Sequence, residues 1–271
     1  MTRPSKSTPF AKKSLGQNFL TDPNYIRKVV AAVDPQPDDS IIEIGPGRGA
    51  LTELLVESGA NVIAIELDKD LAQVLLERFS ETLNFRVIEK NVLDMDFREA
   101  DVETSPVNSE RKLVANLPYY ISTAILQQLV DQRESFSEIV LMFQREVVDR
   151  ITASPGKSDR GYLTVIAEAA FEIEKLFNVP PAAFSPRPKV SSAVVRLTPK
   201  PRSVFDTEKA RNLISAAFSQ KRKTITNNLR TGYPYFKTAL NKATIDPQRR
   251  AETLSLLEWE RLAEFIERAQ E

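Results

Sequence analysis

Short apolar runs alternate with amphipathic segments along the first half of the chain. Five runs of four or five residues are dominated by apolar side chains, and they cover 41–44, 61–65, 85–88, 112–115 and 139–143. The segments between them repeat apolar residues at helical spacing over 49–58, 69–80 and 122–132. Strands that alternate with helices of about ten residues predict a parallel α/β sheet.

The pattern changes near residue 200. Two further strands are expected at 171–179 and 190–197, and the Thr-Pro-Lys-Pro-Arg-Ser stretch at 198–203 is typical of a linker. Beyond it the periodicity is helical, and Ser255 with Glu258 forms a capping box before a last helix whose apolar face includes Trp259. We therefore expect an α/β domain over 1–200, with a basic N-terminal segment, and a small all-α domain over 201–271.

The composition excludes several kinds of chemistry. The chain has no cysteine and no histidine, which excludes disulfides, cysteine nucleophiles, Ser-His-Asp triads, zinc sites of the usual ligand types and an imidazole base. Its longest apolar run, 139–143, is far shorter than the roughly 20 residues of a membrane helix, and the N-terminus lacks the apolar stretch of a signal peptide. We expect a cytoplasmic protein with no bound metal and no membrane partner.

Charge is unevenly distributed, although the net charge is zero. Residues 1–28 carry about +5, residues 29–184 about −13 and residues 185–271 about +8. Two basic ends that flank an acidic middle are compatible with an anionic partner despite the zero total.

A glycine-rich turn follows the first predicted strand. Gly45-Pro46-Gly47-Arg48-Gly49 holds three of the chain's eight glycines, and Glu66 lies about 20 residues further on, where an acid would hold ribose hydroxyls. The pattern alone does not separate NAD from S-adenosylmethionine, since both carry an adenosine. Two details favour S-adenosylmethionine. The acidic Glu43 would repel a pyrophosphate but suits an amino acid, and Gly49 comes one residue early for a dinucleotide-binding helix.

Asn116-Leu117-Pro118-Tyr119-Tyr120 follows the fourth predicted strand and suits methylation of an exocyclic amine. An aromatic amine is a poor nucleophile because its lone pair is delocalised into the ring. The Asn116 amide oxygen and a backbone carbonyl near Leu117 can accept both N–H bonds and aim the lone pair at a sulfonium methyl. Pro118 has no N–H, which helps to leave the carbonyls of the turn free, and Tyr119 can stack on the base. No strong base is needed, because the methylated amine is acidic.

Six segments stand in a characteristic order along the chain, at 15–20, 43–52, 66–68, 116–120, 184–192 and 218–223. Together they resemble the bacterial small-subunit ribosomal RNA adenine dimethyltransferases, the KsgA/RsmA family, and the likeness runs from about residue 12 to the end. The resemblance implies a Rossmann-like S-adenosylmethionine-dependent methyltransferase domain followed by a small all-α, RNA-binding domain.

The resemblance also implies a reaction and a partner. The reaction is transfer of methyl groups from S-adenosyl-L-methionine to N6 of two adjacent adenosines in the 3′-terminal hairpin loop of 16S ribosomal RNA. The partner is 16S ribosomal RNA within an immature small ribosomal subunit, with a late role in subunit assembly, and the enzyme is expected to be a monomer.

Single residues receive roles from the same resemblance. Those that would contact the methyl donor are Asn18, Leu20, Gly45, Gly47, Glu66 and Asn116, with Glu66 on the ribose and Asn18 and Leu20 closing over the donor. Those that would act on the target base are Asn116, Leu117 and Pro118, which grip its amine, and Tyr119 and Phe184, which sandwich its ring.

One position departs from the family pattern. The family usually carries an aspartate after the third strand that accepts a hydrogen bond from the donor's adenine amine, whereas this chain reads Glu89-Lys90-Asn91-Val92-Leu93-Asp94. We predict that Asn91 takes this place, since an amide oxygen can still accept the bond without charge assistance. The alternative is a shifted loop in which Asp94 serves.

A set of basic residues is expected to contact the phosphates of ribosomal RNA, which position a substrate without reading its sequence. They are Lys12, Lys13, Arg187, Lys189, Lys221, Arg222 and Lys223. In the family, residues 12–20 and 184–189 border the mouth of the cofactor site, and 221–223 are expected at the start of a helix. We predict that they form one basic surface.

Three other functions stay open. They are a related methyltransferase of the large ribosomal subunit, a non-catalytic assembly or transcription factor with the same fold, and an NAD-dependent dehydrogenase. The motifs around Phe184 and Lys221 argue against the first, the intact 116–119 stretch argues against the second, and the missing histidine argues against the third.

Overall fold

The computed structural model describes residues 12, 16–98 and 110–268 of the chain. These residues divide into two compact units, the first within 1–145 and 174–199 and the second within 146–173 and 200–271. Each unit is described by itself below.

The first unit is built on a seven-stranded sheet and a separate two-stranded ribbon. In chain order the strands are β1 (Phe19–Leu20), β2 (Ser40–Ile44), β3 (Asn61–Glu66), β4 (Phe85–Glu89), β5 (Arg111–Asn116), β6 (Glu138–Gln144), β7 (Phe171–Val179), β8 (Phe184–Ser185) and β9 (Ser192–Pro199). The ribbon pairs β1 with β8, and the sheet order is β4-β3-β2-β5-β6-β9-β7. Strands β2 to β6 run parallel to their neighbours among themselves, and β9 is antiparallel to β6. The predicted strands and their parallel arrangement are confirmed.

Helices connect the parallel strands, as the periodicity predicts. They are α2 (Ala50–Glu57), α3 (Lys69–Arg78) and α4 (Ser122–Asp131), whereas α1 (Pro23–Val33), which was not predicted, precedes β2, and α5 (Arg145–Ile151) follows β6. The Asp22 side chain accepts the N–H of Asn24 at 2.8 Å and so caps α1. Leu55 of α2, Leu75 of α3 and Leu129 of α4 are fully buried, because each helix turns its apolar face inward.

The order of the sheet reverses between β2 and β5, and this reversal positions the functional site. β2 is the first strand of the sheet in the chain, and it lies between β3 and β5. Ile44 at its end pairs in register with Ile65 of β3 and with Ala115 of β5. The turns after these strands therefore leave the sheet at the same level, and such a switch point opens a crevice outside the carboxyl ends of the strands.

The second unit is helical. It contains most of α5 and the helices α6 (Tyr162–Ala170), α7 (Glu208–Ala217), α8 (Ile225–Leu229), α9 (Phe236–Lys242) and α10 (Leu256–Arg268). The predicted capping box of α10 is confirmed, since the Glu258 carboxylate accepts the Ser255 N–H at 2.8 Å and Ser255 Oγ accepts the Glu258 N–H at 3.3 Å. Trp259 is fully buried, with its ring 5.7 Å from that of Phe218.

The division differs from the predicted boundaries in one segment. The prediction placed 146–173 in the first domain, whereas these residues belong to the helical unit. Helix α6 buries seven of its nine residues, so it needs partners on several sides, and α7 and α10 pack against it. Among the helices in the described part of the chain, none is long and apolar enough to cross a bilayer.

Candidate active site

A cavity of about 760 Å³ opens at the carboxyl ends of the parallel strands, within the first unit. This volume lies in the range of about 300–1,000 Å³ that is typical of small-molecule sites. Ten of the residues that the sequence predicts for the site line it, namely Asn18, Leu20, Gly45, Gly47, Glu66, Asn91, Asn116, Leu117, Pro118 and Phe184. The fold thus brings together side chains that lie far apart in the sequence.

The glycine turn after β2 forms one wall of the cavity. Gly47 has a φ of 58° and Gly49 a φ of 80°, in the left-handed region that favours glycine. A Cβ at Gly47 would lie 2.9 Å from the Phe19 ring, and one at Gly49 would lie 2.9 Å from Leu75. At both positions a side chain would strain the backbone and would require a neighbouring side chain to move. The bare backbone at Gly47 is where a ligand can approach the turn closely.

Glu66 lies at the end of β3, with its carboxylate held by the backbone. Its Oε2 accepts the Gly47 N–H at 3.1 Å, and its Oε1 accepts the Asp68 N–H at 2.9 Å. Burial raises the pKa of Glu66, while these two hydrogen bonds act in the opposite direction. Each carboxylate oxygen retains a second lone pair, so Glu66 can accept two further bonds from a pair of hydroxyls.

A second acid, Glu43, lies in β2 beside the same cavity. It is fully buried, and Thr52 Oγ1 donates a 2.6 Å hydrogen bond to its Oε2. Burial raises the pKa of Glu43 to about 7, the Thr52 bond acts against this rise, and the charge of Glu66 adds to it. Two acids in one buried wall favour a ligand that carries positive charge.

Asn116 ends β5 and faces the cavity from the opposite side of the switch point. Its Nδ2 donates to the backbone carbonyl of Asn18 at 3.2 Å, and its amide oxygen accepts no hydrogen bond from the residues that the structure describes. The Pro118 carbonyl accepts bonds from Ile121 N–H and Ser122 Oγ, both at 3.3 Å. The Leu117 carbonyl accepts no hydrogen bond from any described residue. Two acceptors therefore stand free at adjacent residues of the motif.

The ribbon of β1 and β8 borders the cavity on another side. Leu20 pairs with Phe184 in antiparallel register, and the Thr21 N–H donates to the Ala183 carbonyl at 2.8 Å. Both Leu20 and Phe184 are buried. The backbone of Tyr119 begins a short 3-10 turn, but its side chain lies outside the described part of the structure, so its stacking role stays a prediction.

Asn91 and Asp94 differ in their relation to the cavity. Asn91 lines it, and the Asn91 Oδ1 accepts the Leu93 N–H at 3.2 Å. Asp94 is exposed and is absent from the lining. Of the two residues only Asn91 lines the cavity, and its contact with the donor's adenine amine stays a prediction.

The predicted basic residues fall into three groups. Lys12 Nζ forms ion pairs with Asp68 and Asp70, at 2.7 Å each, so its charge is balanced within the protein rather than free for phosphate. Lys13 lies outside the described residues. The exposed members are Arg187, Lys189, Lys221, Arg222 and Lys223.

The run 221–223 was predicted to start a helix, and this prediction is wrong. These residues form a turn, and α8 begins at Ile225. The reason is Thr224, which takes the N-cap position of α8 and accepts the Asn227 N–H at 3.4 Å. In the turn all three cations are exposed.

Several lining residues were missed by the sequence analysis. Arg48, Leu67, Leu93 and Tyr120 line the cavity, and Tyr120 is 59% exposed. Each is adjacent to, or two positions from, a residue that was singled out. The available signal was their position, since each lies within four residues after the end of a parallel strand.

Comparison with known families places the chain. A profile of the family described as ribosomal RNA adenine dimethylase matches residues 10–268. The chain belongs to this ribosomal RNA adenine dimethylase family. It is similar to ribosomal RNA small subunit methyltransferase A of Hahella chejuensis, with 41% identity over 94% of this chain and 93% of the relative. The protein of that name from Geobacillus thermodenitrificans is 42% identical over 94% of this chain and 90% of the relative.

Solved structures agree with this assignment. A dimethyladenosine transferase from Plasmodium falciparum is similar with a TM-score of 0.77 and 26% identity, covering 93% of this chain and 98% of the other. The 23S rRNA methyltransferase ErmE is similar with a TM-score of 0.70 and 26% identity, covering 92% of this chain and all of the other. The fold is thus the Rossmann-like methyltransferase fold that was expected.

Membership of the family makes this dimethylase an rRNA adenine dimethyltransferase whose methyl donor is S-adenosyl-L-methionine. The residues of the cavity fit that donor. The buried acids Glu43 and Glu66 suit its positive charges and its ribose hydroxyls, and the Gly47 backbone lines the same cavity.

Proposed function

We propose that this enzyme dimethylates N6 of two adjacent adenosines in the 3′-terminal hairpin loop of 16S ribosomal RNA, within an immature small subunit in the cytoplasm. We further propose that it acts as a monomer and late in subunit assembly. Relatives that are about 41% identical over nearly the whole chain carry the name of small-subunit methyltransferases, which supports this substrate. The observation that carries the chemistry is the pair of free acceptors at Asn116 and Leu117 beside a donor-sized cavity.

The two acceptors prepare the amine for attack. The Asn116 Oδ1 and the Leu117 carbonyl accept both N–H bonds of adenine N6, so the nitrogen moves towards a tetrahedral shape and its lone pair points into the cavity. When bound, S-adenosylmethionine supplies an electrophilic methyl group on a positively charged sulfur. Acceptors that are fixed in advance are worth most where charge develops in a water-excluded site.

The remaining residues hold the donor and the base. Glu66 accepts the ribose hydroxyls, the Gly45 and Gly47 backbone lies against the donor, Asn18 and Leu20 close over it, and Asn91 accepts from its adenine amine. Phe184 and Tyr119 stack on the target base, which must leave its helix or loop stack to reach the cavity. The methylated nitrogen is acidic and gives its proton to water, so a chain without histidine is sufficient.

The test is methylation of ribosomal particles with labelled donor. Immature small subunits, mature small subunits and large subunits, all under-methylated, are incubated with the enzyme, and the labelled nucleosides are identified and mapped. We expect N6,N6-dimethyladenosine at two adjacent positions of the 3′-terminal hairpin loop, chiefly in immature small subunits, and far less of it with Asn116→Ala. Label in large-subunit RNA would instead indicate the substrate class of ErmE and would refute the proposal.

The exposed cations are proposed to track RNA phosphates, and salt dependence tests them. Lys221, Arg222 and Lys223 are all exposed in the turn before α8. Each lost phosphate contact lowers the slope of log affinity against log salt by about 0.7–0.9, so replacing all three by alanine should flatten it by about two units. Donor affinity, measured without RNA, should stay at the wild-type value. An unchanged slope would mean that these three cations face solvent and do not contact RNA phosphates.

A further inference from the structure

We propose that Asp68 is a positioning residue, which fastens the segment 16–20 over the methyl-donor cavity and links Glu66 to Asn116 through hydrogen bonds and the backbone of that segment. The inference rests on the proposed donor site and concerns how that site is held closed. It assigns a role to a carboxylate that contacts neither the donor nor the base in the proposed function.

The Asp68 carboxylate has more partners than its local position requires. It caps α3, where its Oδ1 accepts the Asp70 N–H at 3.1 Å. The same Oδ1 also accepts from Lys12 Nζ at 2.7 Å, and Oδ2 accepts from Gln17 Nε2 at 3.0 Å. The side chain is only 1% exposed. Asparagine or serine would cap a helix as well as aspartate, so the buried negative charge is explained by the N-terminal segment rather than by the helix.

The network continues from Asp68 to the donor side of the cavity. The Asp68 N–H donates to Glu66 Oε1 at 2.9 Å, and Glu66 Oε2 accepts the Gly47 N–H at 3.1 Å. Asp68 therefore lies between the carboxylate proposed to hold the ribose and the segment proposed to close over the donor. A shift of Asp68 would disturb both at once.

On the target side the link passes along the backbone from Gln17 to Asn18 and then through hydrogen bonds. The Asn18 side chain donates to the Gly16 carbonyl at 3.1 Å, and the Asn18 carbonyl accepts from Asn116 Nδ2 at 3.2 Å. That last bond determines which end of the Asn116 amide is free for the target amine. If the segment moved away, the amide would lose the bond that orients it. Fastening Gln17 to Asp68 thus keeps the Asn116 oxygen available.

The charges of Asp68 and Lys12 keep this contact in place at neutral pH. Burial alone would raise the pKa of Asp68, but hydrogen bonds from Lys12 and Gln17 outweigh it and hold the value below the ordinary one. The same bonds to Asp68 and Asp70 raise the pKa of Lys12. Both groups therefore remain charged throughout the neutral range.

The test uses variants that separate fastening from helix capping. Asp68→Asn keeps a capping side chain but removes the charge, and Gln17→Ala removes a partner without touching the helix. Asp70→Asn is the matched control, because Asp70 also pairs with Lys12 but is 65% exposed. For each variant, donor affinity and dissociation rate are measured without RNA, and amide hydrogen exchange of residues 16–20 is measured in the free protein.

We expect Asp68→Asn to weaken donor binding about tenfold, to speed donor dissociation and to speed exchange at residues 16–20. Gln17→Ala should act in the same direction, and the double variant should cost less than the sum of the two. Asp70→Asn should change donor affinity by less than about twofold.

Two results would overturn the inference in different ways. If Asp68→Asn and Gln17→Ala leave exchange and donor affinity unchanged while Glu66→Gln weakens donor binding, Asp68 is only a helix cap. If Glu66→Gln also leaves donor affinity unchanged, the proposed donor site is wrong, and the role of Asp68 is wrong with it.

Discussion

Glu43 makes the stability of the first unit depend on pH in an unusual direction. Its carboxyl is fully buried, its hydrogen-bond donor is the neutral hydroxyl of Thr52, and Glu66 lies on the same wall. Burial therefore raises its pKa from the ordinary 4.5 to about 7. The change that tests this is Glu43→Gln, which keeps the size of the side chain and an oxygen for Thr52 but cannot ionise.

The sign and size follow from proton linkage. Between pH 4.5 and 7 the folded protein keeps a proton on Glu43 that the unfolded chain has lost, so stability falls as pH rises. The stability contributed by the protonated Glu43 carboxyl is fully present below pH 4.5 and is lost as the pH rises through 7. Each pH unit in this window corresponds to about 1.4 kcal/mol, so the loss by pH 8 is about 3 kcal/mol. Glu43→Gln should escape this loss.

The assay is urea unfolding at pH 5, 6, 7 and 8, followed by far-ultraviolet circular dichroism and, for the first unit alone, by hydrogen exchange of the β2 amides. Trp259, the chain's one tryptophan, is buried in the second unit, so its fluorescence reports on that unit separately. Glu43→Gln and wild type should be about equally stable at pH 5. The variant should lead by about 3 kcal/mol at pH 8.

A control and a refuting outcome are both available. Glu57 lies in α2 and is exposed, so Glu57→Gln should leave the wild-type pH profile in place. If the difference between Glu43→Gln and wild type is the same at every pH, Glu43 ionises as an ordinary carboxyl. The reasoning about two acids in one buried wall would then be wrong.

Three further predictions, at Asn116, Gly47 and Asn91, test the geometry of the site. Asn116→Ala should lower turnover by about 10²- to 10³-fold, since it removes an acceptor at the reacting amine, and calorimetry should find donor affinity largely intact. Gly47→Ala should weaken donor binding and destabilise the protein by about 1–2 kcal/mol, because its Cβ would lie 2.9 Å from the Phe19 ring. Gly232→Ala, where a Cβ meets nothing within 4 Å, should do neither. Asn91→Asp should preserve or tighten donor binding and Asn91→Leu should weaken it; a larger loss with Asp94→Ala would show that the register is wrong.

The elements of the fold were predictable because each carries its own pattern. The strand expected at 171–179 is β7, and the run at 61–65 became β3 with one residue added. Alternating apolar runs and amphipathic segments record which faces are buried, whatever packs against them. The site residues were predictable for a related reason, since turns after parallel strands meet at one edge of the sheet.

What failed depends on partners that are remote in sequence. The sequence around Lys12 does not indicate that this side chain pairs with Asp68, which lies 56 residues further along the chain. A count of charges does not distinguish a cation that is paired within the protein from one that is free. The assignment of 146–173 failed similarly, because α6 is apolar on most sides and only its packing on α7 and α10 decides its unit. At 221–223 the competing signal was the capping threonine.

Two buried acids in the site lower the stability of the free protein, and a positively charged ligand can offset that loss. Glu43 and Glu66 are buried near one another, and burial raises the pKa of each, so ionising them at neutral pH opposes folding. A donor with a sulfonium and an ammonium group brings positive charge to this wall, and its hydroxyls can occupy the lone pairs that Glu66 leaves open. The two acids therefore destabilise the free protein and favour a cationic nucleoside, which is the usual exchange between stability and function at a buried site.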